Sequence, residues 1–146
     1  MAHNFARGKF TPKNLQKYVG NGAYVYRSSW ELSFAMFLDT NPNILRWAGE
    51  AIKIPYRNPL TGKQTVYVPD FFIQYLDKNN KMQVELIEIK PASQQLQEKV
   101  GKSKVNQAMF IKNQAKWAAA TIYCKQQGIK FRVLNQYDLF HNGTTK

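Results

Sequence analysis

At 146 residues, 44% hydrophobic and with a single cysteine, the chain has the size of one domain with one core, and enough apolar area to fold without disulfides or a structural metal. Cys124 has no partner for an internal disulfide, no run approaches the ~18 apolar residues of a membrane span, and the start lacks an apolar signal block, so a soluble, intracellular protein is expected. Against 9 Asp and Glu stand 21 Lys and Arg, a net charge of +12, which concentrates polyanions and above all nucleic acid.

Residues 1–26 place Arg7, Lys9, Lys13 and Lys17 among Gly, Asn and aromatics without helical or strand periodicity. They read as an irregular basic arm. It is either a surface extension packed by Phe10 and Tyr18 or a clamp on phosphates or a partner. A domain over 27–140 follows, with 141–146 as a tail.

SSWE supplies a hydroxyl cap with an acid behind it, so a helix is expected from Ser28 or Ser29 to about Asp39, where NPN ends it. Trp30, Phe34, Phe37 and Leu38 share its apolar stripe, with Glu31 at the edge. EAIKIPY (50–56) reads as a strand, NPLTG as a turn, QTVYVPDFFIQYL as a second strand, DKNNK as a hairpin turn and MQVELIEIK as a third strand. ASQQLQEKVGKSK is polar and reads as a mobile loop, in part helical. A long helix fits 104–127, with Ala108, Ile111, Ala115, Ala118, Ala119 and Ile122 on one face and Gly128 as its C-cap. The strand IKFRVLN (129–135) closes the order α-β-β-β-α-β. A strand, a crossover helix and a further strand favour a parallel pair within a mixed sheet, hence an α/β or α+β fold.

Charges within the strands carry the chemistry. In VELIEIK the side chains alternate, so Glu88 and Lys90 project on one face. Pro69 cannot donate to a ladder, so Asp70 stands at an edge, end or bulge, and a hairpin from 70 to 88 brings the two acids together. Carboxylates that close repel unless one is protonated or a cation lies between them. Magnesium is such a cation, held by one or two carboxylates with substrate phosphate, and Lys90 stands ready to orient a water or neutralise developing charge. An acid and a base at i, i+2 also occur on solvent-facing edges, and Glu31 three residues after Ser28 fits a capping box.

Pro69-Asp70 followed by Glu88-Ile89-Lys90 resembles the PD-(D/E)xK nuclease superfamily. YRSSWELSFAMFLDTNPNILRWAGEAIKIPYRNPLTGK, VPDFFIQY, ELIEIKP and the opening KFTPKNLQKYVGN are similar to the head-completion nuclease family of phages with contractile tails, over roughly residues 9–135. The resemblance implies a restriction-endonuclease-like core with a central mixed sheet flanked by helices. It further implies a Mg2+-dependent DNA endonuclease, with Mn2+ as an alternative ion, acting on DNA late in phage head assembly after packaging. Asp70 and Glu88 would ligate the metal, Lys90 would assist the water, and Glu31 matches the acid that the first helix adds.

The resemblance further implies a late Gln or Lys on the long helix near the metal, which makes Gln107, Lys112 and Lys116 candidates for the DNA side of the site; Arg27, Lys9, Lys13 and Lys17 are basic candidates for DNA contact. Glu50 either faces the same pocket or pairs with Arg46. Portal, neck or capsid proteins are implied as partners, with no membrane and no nucleotide cofactor, in the host cytoplasm during assembly or at the virion head–neck region. A resolvase or transposon-type endonuclease and a DNA-binding structural plug are the alternatives. A zinc site is not expected from His3 and His141, and Cys124 is expected in the core.

Overall fold

The structure, a computed structural model, describes residues 7–20, 22–96 and 100–140. His3, His141 and residues 97–99 of the expected polar loop lie outside these. The chain runs β1 (Gly8–Phe10), β2 (Tyr24–Tyr26), α1 (Ser29–Thr40), β3 (Ile44–Gly49), β4 (Ile54–Arg57), β5 (Gln64–Tyr67), β6 (Phe71–Leu76), β7 (Met82–Ile89), α2 (Ala92–Gln95), α3 (Lys104–Gln127), β8 (Lys130–Leu134) and α4 (Gln136–Phe140).

Four strands form the central sheet in the order β3-β6-β7-β8, antiparallel except for the parallel β7–β8 pair that the α3 crossover creates. Helices flank this mixed sheet in an α+β, restriction-endonuclease-like arrangement. Its elements alone, α1-β3-β6-β7-α3-β8, reproduce the expected order, with the β4–β5 hairpin inserted as a separate two-stranded sheet.

The first core strand is 44–49, however, not 50–56. A bulge between Ile44 and Arg46 breaks the alternation that would have revealed it. The segment QTVYVPDFFIQYL is likewise two strands: Pro69, buried and without a donor, ends the small sheet, and the chain enters the central one at Phe71. The helix caps are the expected ones. Ser28 Oγ accepts the Glu31 N–H at 3.1 Å, and Gly128 ends α3 in left-handed backbone, φ 72°.

Both faces of the sheet are covered, so the expected single core is two clusters. Trp30, Phe34, Leu38, Trp47, Phe71, Ile87 and Leu139 pack on the α1 side; Ile54, Tyr56, Tyr67, Leu86, Trp117, Ala120 and Cys124 pack on the α3 side. The buried stripe of α3 is therefore Asn113, Trp117, Ala120 and Cys124, and the face read as buried carries Ile111 and Ile122, 49% and 60% exposed. In so alanine-rich a helix the two faces differ little in hydropathy, and Trp117, not the alanines, decides which turns inward.

The described part of the arm is also more ordered than its composition suggests. Gly8–Phe10 pairs antiparallel with Tyr24–Tyr26, and Lys17 and Val19 bond Trp47 backbone to backbone at the free edge of β3. Strands of three residues are too short to show alternation. Buried Asp39 holds the arm from the last turn of α1: its carboxylate accepts from the Lys13 and Asn14 N–H groups at 3.0 and 3.3 Å, and its carbonyl accepts Asn14 Nδ2 at 2.6 Å and Lys17 Nζ at 3.2 Å. Asp39→Ala leaves two amide donors without acceptors and is expected to cost about 2–3 kcal/mol in urea unfolding, with Asp39→Asn recovering part of it.

Candidate active site

The break at Pro69 sets the site. Asp70 stands one step before the Phe71–Ile87 pair, which places it opposite Glu88 across the β6–β7 ladder. Its backbone is fixed from β3, where Glu50 N–H donates to the Asp70 carbonyl at 3.0 Å. Its side chain is fixed from β7, where Ile89 N–H donates to Oδ2 at 2.8 Å. The acid is thus held by main chain on both sides, independent of side-chain rotamers.

Glu88 is 5% exposed on the α3-facing side of β7. Tyr67, the last residue of β5, donates its hydroxyl to Glu88 Oε1 at 2.7 Å, and Lys90 Nζ stands 3.6 Å from Oε2. Lys90 is anchored in turn by its N–H on the Leu134 carbonyl, at the end of the parallel β7–β8 pair. From α3, Lys116 lies over the Tyr67 ring at 5.6 Å. Burial, with Lys90 and Lys112 nearby, lowers the affinity of that ammonium for its proton.

Glu31 reaches the same cleft from α1. Its carboxylate accepts the Tyr24 hydroxyl at 3.2 Å and the Arg27 N–H at 3.0 Å, so Ser28 caps the helix without a reciprocal bond from Glu31. Tyr24 comes this close because β3 ends in Gly49, where a Cβ would collide with the Tyr24 ring. Glu50 pairs with Arg27 rather than with Arg46, which bonds Gln74. The cleft of about 220 Å³ is lined by Glu31, Asp70, Ile89, Lys90, Pro91, Gln94 and Met109.

Three acids gathered here are electrostatically costly. Burial, then the charges of Glu88 and Glu31, holds the Asp70 carboxyl well above the usual carboxylate range. Burial raises Glu88 too, against the opposite pull of Lys90, the Tyr67 hydroxyl and Lys116. A divalent cation between the two would offset both costs.

Among the described residues, no three His, Cys, Asp or Glu side chains already form a metal-holding cluster. The donor set nevertheless fits a hard divalent ion: two facing carboxylates suffice where substrate phosphate and water complete the shell. Glu31 is available across the cleft. The arrangement sets carboxylate oxygens beside an ammonium and a half-buried second lysine, groups able to serve hydrolysis of a phosphodiester.

Other predicted residues do not line the cleft. Gln107 donates to the Gly101 carbonyl at 3.2 Å, at the start of α3. Lys17 is committed to the C-terminal end of α1 through the Asp39 and Asn41 carbonyls, while Lys9 and Lys13 are exposed on the arm. Sequence reasoning passed over Tyr67 and Tyr24, the two hydroxyls that hold Glu88 and Glu31. The signal for Tyr67 was its place two residues before Pro69, at the end of a strand.

Residues 41–136 match the family described as TnsA-like endonuclease N terminal. Over 139 residues the chain is 35% identical to the head completion nuclease of Enterobacteria phage T4, a similarity that spans 88% of this chain and 90% of that relative.

Proposed function

Because the chain belongs to the TnsA-like endonuclease N-terminal family and is related over most of its length to a phage head completion nuclease, we propose that it is a Mg2+-dependent DNA endonuclease of head completion. The observation that carries this reading is the facing of Asp70 and Glu88 with Lys90 Nζ 3.6 Å from the second acid. Nothing in folding alone rewards two raised carboxylates at the end of a ladder.

Asp70 and Glu88 would hold Mg2+, or Mn2+ in its place, with Glu31 as a third oxygen donor. The bound ion would neutralise phosphoryl charge and acidify a water. Lys90 orients the attacking water and offsets charge that develops on the phosphoryl oxygens. Tyr67 fixes the rotamer of Glu88, and Lys116 adds positive charge from α3. Net +12 brings the DNA to the cleft through phosphates.

The near-equal coverage of both chains favours head completion over a transposon-type role, because the likeness extends well beyond the endonuclease segment. Its action then falls in the host cytoplasm after packaging or at the head–neck region of the virion, with DNA as substrate and portal, neck or capsid proteins as partners. Among the described residues no helix is long and apolar enough to cross a membrane.

Supercoiled plasmid provides the test. Nicking is expected with Mg2+ and not with EDTA, and Lys90→Ala is expected to lower the rate about 10²-fold with an unchanged fold. DNA binding without any metal-dependent nicking would leave a structural plug in its place.

A further inference from the structure

Beside the two facing acids lies a charged pair that the chemistry above does not use. Arg27 immediately precedes the helix cap, and its N–H donates to Glu31 Oε1 at 3.0 Å. Its guanidinium holds the Glu50 carboxylate through both terminal nitrogens, the Nη2 contact being 3.4 Å. Glu50 follows β3 in left-handed backbone, φ 50°, and donates its N–H to the Asp70 carbonyl at 3.0 Å. One chain of contacts therefore runs from Glu31 through Arg27 and Glu50 to Asp70.

Stability does not account for this pair. The side chains of Arg27 and Glu50 are 52% and 38% exposed, so water screens their attraction and the ion pair contributes little. Left-handed backbone is unfavourable for glutamate, and glycine or asparagine would adopt it with less strain. The pair instead fixes a position. A guanidinium has five N–H donors in a planar fork; Glu50 occupies one edge, and the rest of the fork is left for a second oxyanion. Its rotamers are already restricted, so less entropy is lost when that oxyanion arrives.

The Arg27 N–H on Glu31 and the Glu50 N–H on the Asp70 carbonyl set this pair beside two acids of the cleft, at its rim rather than in its lining. The ligand chemistry that fits such a rim is a backbone phosphate of the strand entering it. No acid precedes Glu31 in the sequence, so the segment leading to this point carries only positive side-chain charge.

Resting on the nuclease reading, we propose that Arg27 contacts a backbone phosphate of the bound DNA strand and that Glu50 is the positioning residue that holds it there. The contact is to phosphate and carries no sequence preference. Two measurements test it. Fluorescence anisotropy with a duplex oligonucleotide in EDTA, taken over a range of salt, reads the contact without cleavage, and single-turnover plasmid nicking in Mg2+ reads its consequence.

Arg27→Ala is expected to reduce the slope of log K against log salt by about one and the nicking rate about 10–100-fold. Arg27→Lys restores the slope and only part of the rate, because a point charge replaces the fork. Glu50→Gln keeps the slope and lowers the rate by roughly 3–10-fold. The exchange Arg27→Glu with Glu50→Arg re-forms an ion pair with the charges transposed, and is expected to stay as slow as Arg27→Ala.

An unchanged slope in Arg27→Ala, or wild-type nicking by the exchanged protein, overturns the clamp. Failure of the parent reading looks different: wild type and Glu88→Gln would then nick equally or not at all, while the slope in EDTA still decides whether Arg27 holds phosphate.

Discussion

Glu88→Gln is expected to lower metal-dependent nicking at least about 10³-fold, some 4 kcal/mol of transition-state stabilisation, while the protein folds as before. Glutamine is isosteric and keeps an oxygen to accept the Tyr67 hydroxyl, which now bonds Glu88 Oε1 at 2.7 Å. Neutralising a group that burial already disfavours as an anion costs the fold nothing. What disappears is the negative charge that stands opposite Asp70 and beside Lys90. A divalent ion loses one of two facing ligands, and Lys90 loses the partner 3.6 Å away that fixes its ammonium. Single-turnover nicking with saturating Mg2+ measures the loss, and a circular dichroism melt checks the fold. Activity within tenfold of wild type would remove Glu88 from the reaction and the proposed site with it.

That Glu88 stands out at all depends on a contradiction legible in the sequence. Its neighbours alternate cleanly, Leu86, Glu88 and Lys90 against Glu85, Ile87 and Ile89, so an acid is forced onto a covered face. Asp70 was legible for a related reason, since Pro69 announces the end of a ladder where a side chain escapes the pleat. Glu85 was not. It is 2% exposed with the Tyr75 hydroxyl and Arg132 Nε as partners, the latter at 2.6 Å, and this pairing is visible only once the α1 side of the sheet is assembled.

Ser28 and Gly128 cap α1 and α3 as the sequence suggests, while Ser103, whose side chain accepts the Asn106 N–H at the start of α3, is a cap the sequence reading does not single out. The short α4 carried a comparable signal that went unread in NQYD, where Asn135 and Asp138 bond each other reciprocally, Asn135 N–H to Asp138 Oδ2 at 2.9 Å and Asp138 N–H to Asn135 Oδ1 at 3.4 Å. Strands were harder. Register depends on partners distant in sequence, and β3 hides its alternation behind a bulge. The Arg27–Glu50 pair lies beyond any local pattern, because 23 residues and a helix separate its members.

Asp70→Asn separates folding from function most sharply, because the two are expected to move in opposite directions. The variant should lose nicking about as completely as Glu88→Gln, yet melt a few degrees higher without metal at pH 8, on the order of 1 kcal/mol or more. Asparagine retains an oxygen for the Ile89 N–H and removes the charge that burial, Glu88 and Glu31 all oppose. The pH dependence fixes the sign. A carboxyl whose folded pKa is raised binds its proton more readily in the native state than in the unfolded one. Its contribution to stability is therefore unfavourable at high pH and is relieved as pH falls through the folded value toward the ordinary range near 4. The stability difference between variant and wild type should shrink as pH is lowered toward the ordinary carboxylate range. Mg2+ should do at pH 8 what protons do on acidification, raising the melting temperature of wild type and leaving Asp70→Asn unmoved, by mass action on the folded state alone. A variant less stable than wild type at pH 8, or a wild type indifferent to both acid and Mg2+, would mean that Asp70 and Glu88 do not share a cation, and the hydrolytic site would have to lie elsewhere.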